Sequence, residues 1–183
     1  MNLKIYALLT TGFLALSSGA DKADSELADG FINAPLSEVW RIFTTEEGYK
    51  GAGVNQVDID LKIGGHIRTH SGPGALGDAE TMDKEILAYD PEHMLALRTA
   101  QAPASLPHRD ALQGTWTVTY FENAGENMTR VRVVGVGFGN DAQSQALQEE
   151  LRQSNRELID RIGKRYWPKC AHCQLESPLA PAQ

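Results

Sequence analysis

The chain has 183 residues, and its 24 acidic and 17 basic side chains give a net charge of −7 at pH 7. A chain of this length is suited to one domain with a substantial core rather than two. The charge has the wrong sign for neutralising phosphates, so we expect no nucleic-acid partner, and the acidic excess instead favours solubility.

The first twenty residues have the pattern of a secretory signal peptide. Lys4 precedes an apolar run over residues 5–16, and Ser18 and Ala20 are the small residues that a signal peptidase requires. The run is shorter than the ~20 apolar residues that cross a bilayer, so no membrane span is expected after cleavage. The sequence thus predicts a signal peptide over residues 1–20 and a periplasmic or secreted protein. It does not determine the oligomeric state.

A polar leader is expected over residues 21–26, before a first strand over residues 27–34. Apolar side chains then recur at three- and four-residue spacing, which predicts an amphipathic helix. They are Leu36, Val39, Trp40 and Phe43. Residues 44–48 break that helix and begin another short turn, so two short helices are expected after the first strand.

Six further strands are predicted from alternating or apolar segments bounded by glycine, proline and polar turns. They cover residues 54–61, 66–71, 82–89, 94–100, 115–122 and 129–138. The Gly64-Gly65 pair indicates a hairpin between the first two of them. Pro103 and Pro107 keep residues 102–109 out of the centre of a sheet. Sequential strands with short connections favour one antiparallel sheet.

Residues 141–167 predict one long helix, about 40 Å at 1.5 Å per residue. Its apolar stripe is Leu147, Leu151, Leu158 and Ile162, with Ser154 filling the gap. A helix with one apolar stripe is not stable alone, so the stripe is expected to lie against the sheet.

Several short motifs occur along these elements. They are Ala34-Pro35-Leu36-Ser37-Glu38-Val39-Trp40, Lys62-Ile63-Gly64-Gly65, Glu85-Ile86-Leu87-Ala88-Tyr89-Asp90-Pro91-Glu92 and Trp116-Thr117-Val118. In order and spacing, residues 27–167 resemble the SRPBCC (helix-grip, START-like) superfamily, and more narrowly its branch related to the activator of the heat-shock chaperone ATPase (AHSA-like) and to polyketide cyclases. The resemblance implies an α+β helix-grip fold, in which a curved antiparallel β-sheet wraps around a long C-terminal α-helix and leaves a cavity between them.

The resemblance also implies a functional class. Members of the superfamily bind lipids, sterols, plant metabolites or polyketides in the cavity, and some catalyse reactions there. We expect a non-enzymatic module for a small hydrophobic or aromatic ligand, without cofactor or metal, because no nucleophile, metal site or acid–base set is recognisable. The alternatives are a cyclase- or hydratase-like enzyme and a protein-interaction module. Chaperone activation is not expected, because that chaperone works inside cells and this chain has an export signal.

Eight side chains are candidate ligand contacts. They are Trp40, Phe43, His66, Arg68, His70, Arg98, Trp116 and Tyr120. The aromatic rings suit either a cavity wall or, more commonly, core packing. His66, Arg68 and His70 alternate along one strand and share a face, which either contacts an anionic or phenolic ligand or, as we favour, faces solvent. Arg98 would need a carboxylate or an anionic ligand if it pointed inward, and solvent exposure is favoured. The enzyme alternative uses His66, His70 or Arg98.

Residues 168–183 contain the pair Cys170 and Cys173 and a tail with two prolines. In an oxidising compartment this spacing favours a disulfide, which would close a small loop. Free or intermolecular thiols are one alternative, and a metal site with His172 and a ligand from elsewhere is another. The tail after Cys173 is expected to be disordered.

Overall fold

The computed structural model describes residues 23–166, and within them it has an α+β architecture. The strands are β1 (Ala23–Ile32), β2 (Gln56–Ile59), β3 (His66–His70), β4 (Met82–Asp90), β5 (Met94–Gln101), β6 (Trp116–Gly125) and β7 (Met128–Phe138). The helices are α1 (Leu36–Thr44), α2 (Glu46–Gly51) and α3 (Ala142–Tyr166), and a short 3₁₀ helix spans Arg109–Leu112. The predicted signal peptide, Cys170, Cys173 and the tail lie outside the described residues.

The strands form one curved sheet in the order β1-β7-β6-β5-β4-β3-β2, and every neighbouring pair is antiparallel. The helix-grip fold class is therefore confirmed. Strands β2 to β7 lie side by side in the order in which they occur along the chain, with β2 at one edge of the sheet. The first strand, β1, pairs with β7 and forms the other edge. The helices α1 and α2 carry the chain from the β1 edge to the β2 edge.

The first strand begins earlier than the sequence pattern indicates. Residues 23–26, assigned to a polar leader, belong to β1, where Ser25 pairs with Gly135 and Glu26 with Val134. The ladder is made by backbone groups, so polar side chains do not prevent pairing at a half-exposed edge. Register shifts between β1 and β7 in this segment mark bulges, which also obscure the alternation of side chains.

The predicted long helix is confirmed, with a modified inner stripe. Its buried residues are Ser144, Leu147, Ile159, Ile162 and Tyr166, and Leu151 and Leu158 are partly buried. Ser154 is exposed, and the neighbouring Asn155 is the partly buried residue in the middle of the helix. Steps of four residues from Leu147 lead to Leu151, Asn155 and Ile159, so a spacing of three or four residues alone did not distinguish Asn155 from Ser154.

The helix α1 closes one side of the core. Val39, Trp40 and Ile42 are buried there, and the Trp40 ring meets Phe121 of β6 edge-on at 5.4 Å between centroids. Phe43 also meets Phe121, at 5.2 Å. Thr45 ends α1 and caps α2, because its hydroxyl accepts a hydrogen bond from the Gly48 N–H at 3.2 Å. Trp40 is thus part of the apolar core.

The helix α3 and the strand β1 approach closely at Gly30. A Cβ atom at Gly30 would lie 2.8 Å from Cγ2 of Ile159, well inside ordinary van der Waals contact. Ile159 is 5% exposed and β-branched, so its side chain has few other rotamers to adopt. The absence of a side chain at Gly30 therefore sets the distance between the helix and the edge of the sheet.

We expect Gly30→Ala to lower the free energy of unfolding by about 1–3 kcal/mol, because the new methyl group overpacks the contact with Ile159. The matched control is Gly163→Ala on α3, where the nearest atom to a new Cβ is the Phe31 carbonyl oxygen at 3.6 Å, an ordinary contact. That change should be neutral or stabilise by up to about 1 kcal/mol, as alanine favours helix. Urea unfolding measures both, and equal stability of Gly30→Ala and wild type would contradict the close approach.

Candidate ligand-binding cavity

A partly enclosed cavity of about 130 Å³ lies between the inner face of the sheet and α3. Leucine side chains from β5, α3 and the segment around the 3₁₀ helix form much of its wall, together with Phe43, Met82 and Val133. Polar side chains interrupt this wall at Tyr49, Lys84, Thr99, Thr117, Thr119 and Asn155. An apolar cavity of about 150 Å³ is known to admit benzene, so this one suits a molecule of similar or slightly smaller size.

The cavity follows from where the helix touches the sheet. The main sheet contacts of α3 are with β1 and β7, and its C-terminal half carries Ile159 and Ile162 into the core. Strands β4, β5 and β6 lack such extensive contact with α3, so their inner faces are left partly uncovered. Space between a curved sheet and a straight helix is filled either by side chains or by a ligand.

Two further spaces adjoin this cavity. An apolar chamber of about 80 Å³ lies under α1 and α2 and shares the wall residues Phe43, Tyr49 and Leu158 with it. On the opposite side, Thr99 and Leu112 line both the cavity and a surface groove of about 300 Å³ beside the 3₁₀ helix. The segment containing the 3₁₀ helix therefore separates the cavity from solvent.

Lys84 and Tyr49 are the titratable side chains in the cavity lining. Neither makes a hydrogen bond or ion pair with another residue in the described part of the chain. Burial lowers the pKa of the Lys84 ammonium group. Burial also raises the pKa of the Tyr49 hydroxyl to about 12. Both shifts have the same cause, because an enclosed site disfavours the charged form of either group.

His66, Arg68 and Arg98 lie on the outer face of the sheet. His66 Nδ1 is 2.7 Å from Asp83 Oδ1, and Arg68 Nε donates to Asp83 Oδ2 at 3.3 Å. Arg98 Nη2 donates to Glu85 Oε2 at 2.6 Å. These three candidates therefore do not line the cavity. The alternation of side chains sends the neighbouring Ile67 inward, and carboxylates on the outer face of β4 neutralise the cations.

Trp116 and Tyr120 lie on the same outer face, on β6. Trp116 is 38% exposed, and the Tyr120 ring lies 5.0 Å below the guanidinium carbon of Arg132. Neither residue lines the cavity, because Thr117 and Thr119 occupy the inward positions of the strand. Of the eight candidate contacts, Phe43 is the one that lies in the cavity wall.

His70 is buried, but it holds a loop rather than lining the cavity. The Gly72 N–H donates to Nδ1 of His70 at 3.1 Å, and Nε2 lies 3.1 Å from Oδ2 of Asp78. Because Nδ1 accepts a hydrogen bond, the assigned tautomer carries its proton on Nε2 and donates it to the carboxylate. An imidazole with hydrogen-bond partners at both nitrogens fits a structural role in the loop over residues 71–81.

The carboxylate of Asp78 is the centre of that loop. It accepts hydrogen bonds from the backbone N–H groups of Glu80 at 2.8 Å and Ala75 at 3.2 Å. These bonds, above all the one from Glu80, hold the pKa of Asp78 below its ordinary value, and His70 adds to the effect. A carboxylate with a lowered pKa stabilises the folded loop at neutral pH and loses that effect as the pH falls through the lowered pKa.

We expect Asp78→Asn to loosen this loop, because an amide can accept fewer of the hydrogen bonds that the carboxylate accepts. Hydrogen exchange of residues 71–81 should become several-fold faster at pH 7, while exchange of β6 and β7 stays unchanged. The control is Asp110→Asn in the 3₁₀ helix, an exposed position. Acidification of the wild type through the lowered pKa of Asp78 should reproduce the effect, and protection that is insensitive to both changes would contradict this role.

The polar residues of the cavity wall were not among the candidate contacts predicted from the sequence, although the pattern of β4 indicates the position of Lys84. Along β4, Met82, Lys84 and Ile86 share one face, so the lysine lies in register with apolar neighbours. On β6, Trp116 and Tyr120 were named as candidate contacts because large aromatic side chains are expected inside, whereas Thr117 and Thr119 line the cavity. Asn155 was missed because Ser154 was placed in the stripe.

Within residues 23–166 we looked for a metal-binding group of side chains and for a membrane-spanning helix. No group of three or more His, Cys, Asp or Glu side chains is placed to hold a metal ion there. No helix in that range is both long enough and apolar enough to cross a membrane.

Comparison with known proteins identifies both a matching family and the fold. The family model described as "Activator of Hsp90 ATPase homolog 1-like protein" matches residues 33–163. No curated protein sequence matches the chain. Similar solved structures include protein MLL2253 from Mesorhizobium loti, with 14% identity and a TM-score of 0.61 over 81% of this chain and 98% of that one.

Two other similar structures have the same fold. Protein Ms6760 from Mycobacterium smegmatis is 20% identical with a TM-score of 0.59, over 82% of this chain and 94% of its own. The Aha1 dimer from Colwellia psychrerythraea is 18% identical with a TM-score of 0.54, over 78% of this chain and 98% of its own. At these identities the likeness establishes the fold alone.

Proposed function

The chain belongs to the family of activator of Hsp90 ATPase homolog 1-like proteins, and we propose that it binds a small hydrophobic or aromatic molecule between the sheet and α3. The fold of this family commonly binds hydrophobic ligands. The observation that supports this most is the partly enclosed cavity of about 130 Å³ with a largely apolar wall. The atoms that line an unfilled cavity lack van der Waals contacts on one side, and a bound ligand provides those contacts.

The size of the cavity limits the affinity. A ligand of about six non-hydrogen atoms gains at most about 1.5 kcal/mol for each atom, or about 9 kcal/mol in total. The dissociation constant is then submicromolar at best, and micromolar to millimolar for less complete contact. The proposed function is therefore that of a carrier or sensor for a small molecule present at such concentrations, rather than high-affinity binding of a large lipid.

Ligand entry is proposed beside the 3₁₀ helix. Thr99 and Leu112 are shared by the cavity and the surface groove, so a small displacement of the segment over residues 102–114 would connect them. That segment packs through Leu112 against Phe138 and Leu147, a small cluster separate from the main core. A locally packed segment opens more easily than the sheet.

Binding is favoured over the enzyme alternative by the placement of the residues which that alternative needs. His66 and Arg98 lie on the outer face with carboxylate partners, and both nitrogens of His70 are occupied in its loop. In the described part of the chain, the cavity lining holds no histidine and no carboxylate. The acid–base set considered for a cyclase or hydratase is therefore not assembled around this space.

We expect Thr117→Phe to weaken binding of benzene at least roughly tenfold, because the larger ring fills space that the ligand needs. The matched control is Val118→Phe, the next residue on β6, which is not part of the cavity wall. Isothermal titration of the wild type and both variants measures the effect, with circular dichroism to check folding. Benzene affinity that falls equally in both variants, or in neither, would place the ligand elsewhere.

The proposal includes export, supported by the pattern of Lys4, the apolar run and the small residues at 18 and 20. We expect the protein recovered from the periplasm or medium to begin at Asp21. Its intact mass should be two hydrogens below the reduced value because of a disulfide between Cys170 and Cys173. Ala20→Arg should block cleavage. A full-length, reduced protein confined to the cytosol would contradict both parts.

A further inference from the structure

Among residues 23–166, Lys84 is the one cationic side chain that lines the cavity. It lies on the inner face of β4, between Ile67 of β3 and Thr99 of β5 in the pairing register. Its two neighbours along the strand, Asp83 and Glu85, lie on the outer face and interact there with His66, Arg68 and Arg98. The nearest carboxylates along the chain are therefore already paired, on the opposite side of the sheet.

The ammonium group and the neighbouring hydroxyl both have open space beside them. In the described part of the chain, Nε of Arg132 is the only fully buried side-chain nitrogen or oxygen of a non-exposed residue without a hydrogen-bond partner. Lys84 Nζ and the Tyr49 hydroxyl also lack partners there, so they must retain accessible surface. The space that both residues line is the cavity.

Three threonine hydroxyls accompany them. Thr99, Thr117 and Thr119 line the same cavity from β5 and β6, and no hydrogen bond occupies their side chains within residues 23–166. The site combines an ammonium group and several free hydroxyls with apolar walls, and its described lining holds no carboxylate to balance the charge of the ammonium group. A ligand that carries its own acceptor oxygens and a negative charge supplies what is missing.

Building on the proposed function, we propose that the ligand is a small apolar carboxylic acid, bound as its anion with the carboxylate against Lys84 and its apolar body against the leucines of β5 and α3. A carboxylate fits better than a doubly charged anion, because the cavity offers one cation. The volume of about 130 Å³ limits the whole ligand to about six or seven non-hydrogen atoms, so its apolar body has about four carbon atoms. The hydroxyls that line the cavity are the available donors for the oxygen that Lys84 leaves free.

Binding of an anion is coupled to the protonation of Lys84. Without ligand, burial lowers the pKa of Lys84, and a bound carboxylate raises it again. Affinity for the carboxylate is therefore constant at pH values where both Lys84 and the ligand are charged, and it falls as the pH rises through the lowered pKa of Lys84. Tyr49 is the other titratable group that faces this space, and with a pKa of about 12 it stays neutral over the tested range. The remaining lining side chains from the strands and α3 do not titrate.

The test compares pentanoate with its neutral analogue pentanamide, and both with benzene, by titration calorimetry of the wild type and Lys84→Met. A charge-assisted pair favours pentanoate over pentanamide by roughly tenfold to a hundredfold in the wild type. Lys84→Met should lower the affinity for pentanoate to that for pentanamide and remove its pH dependence. The control Lys62→Met removes an exposed lysine that pairs with Asp60 and should change nothing.

The outcomes separate this inference from the proposed function. Equal affinity of the wild type for pentanoate and pentanamide, with benzene still bound, overturns the anion site and leaves the apolar cavity intact. A wild type that binds none of the three overturns both. Lys84→Met should also raise the melting temperature, because a half-buried cation without a counter-charge among the described residues is replaced by an apolar group of similar size. Should it fail to fold, Lys84→Gln provides the same comparison.

Discussion

The contact between α3 and β1 is the constraint on which the rest of the structure depends. Gly30 allows Ile159 to lie almost directly on the backbone of β1, and this fixes the helix above the edge of the sheet formed by β1 and β7. A straight helix anchored at one edge of a curved sheet cannot also contact its centre. The cavity over β4, β5 and β6 is therefore a geometric consequence of this packing, and the side chains that face it determine what it holds.

The sheet separates charge between its two faces. On the outer face, Asp83 binds His66 and Arg68, and Glu85 binds Arg98, so cations and anions neutralise each other at the surface. Such exposed pairs contribute little to stability individually. On the inner face the same strand presents Lys84 without a counterpart among the described residues. The asymmetry is meaningful because an unpaired charge costs little in water and much in an enclosed site.

The sequence was sufficient to predict the elements and their order. Strands β2 to β7, two short helices and the long helix α3 all follow from apolar periodicity and turn residues, with shifts of a few residues at their ends. The start of β1 was not predictable in this way, because backbone pairing and bulges, rather than side chains, place residues 23–26 in the sheet.

Prediction of the site was less successful, for a physical reason. Alternation tells which residues share a face, but not which face is covered by α3. Large aromatic residues were therefore placed inside, whereas β6 directs Trp116 and Tyr120 outward and its threonines inward. His70 was recognised as a candidate, but its role depends on Gly72 and Asp78, whose positions only the folded loop reveals. Lys84 could have been predicted as a cavity residue, because it is a charged residue at a position that shares a face with the apolar residues Met82 and Ile86.

The order of strands also affects how copies of this domain meet one another. The two ends of the sheet, β1 and β2, present backbone groups that a strand from another molecule could use. At one end β2 is only 4 residues long and carries Asp58, and at the other the bulges of β1 interrupt a regular ladder. Both features discourage intermolecular strand pairing. The two edges of the sheet are therefore poor templates for a strand from another molecule.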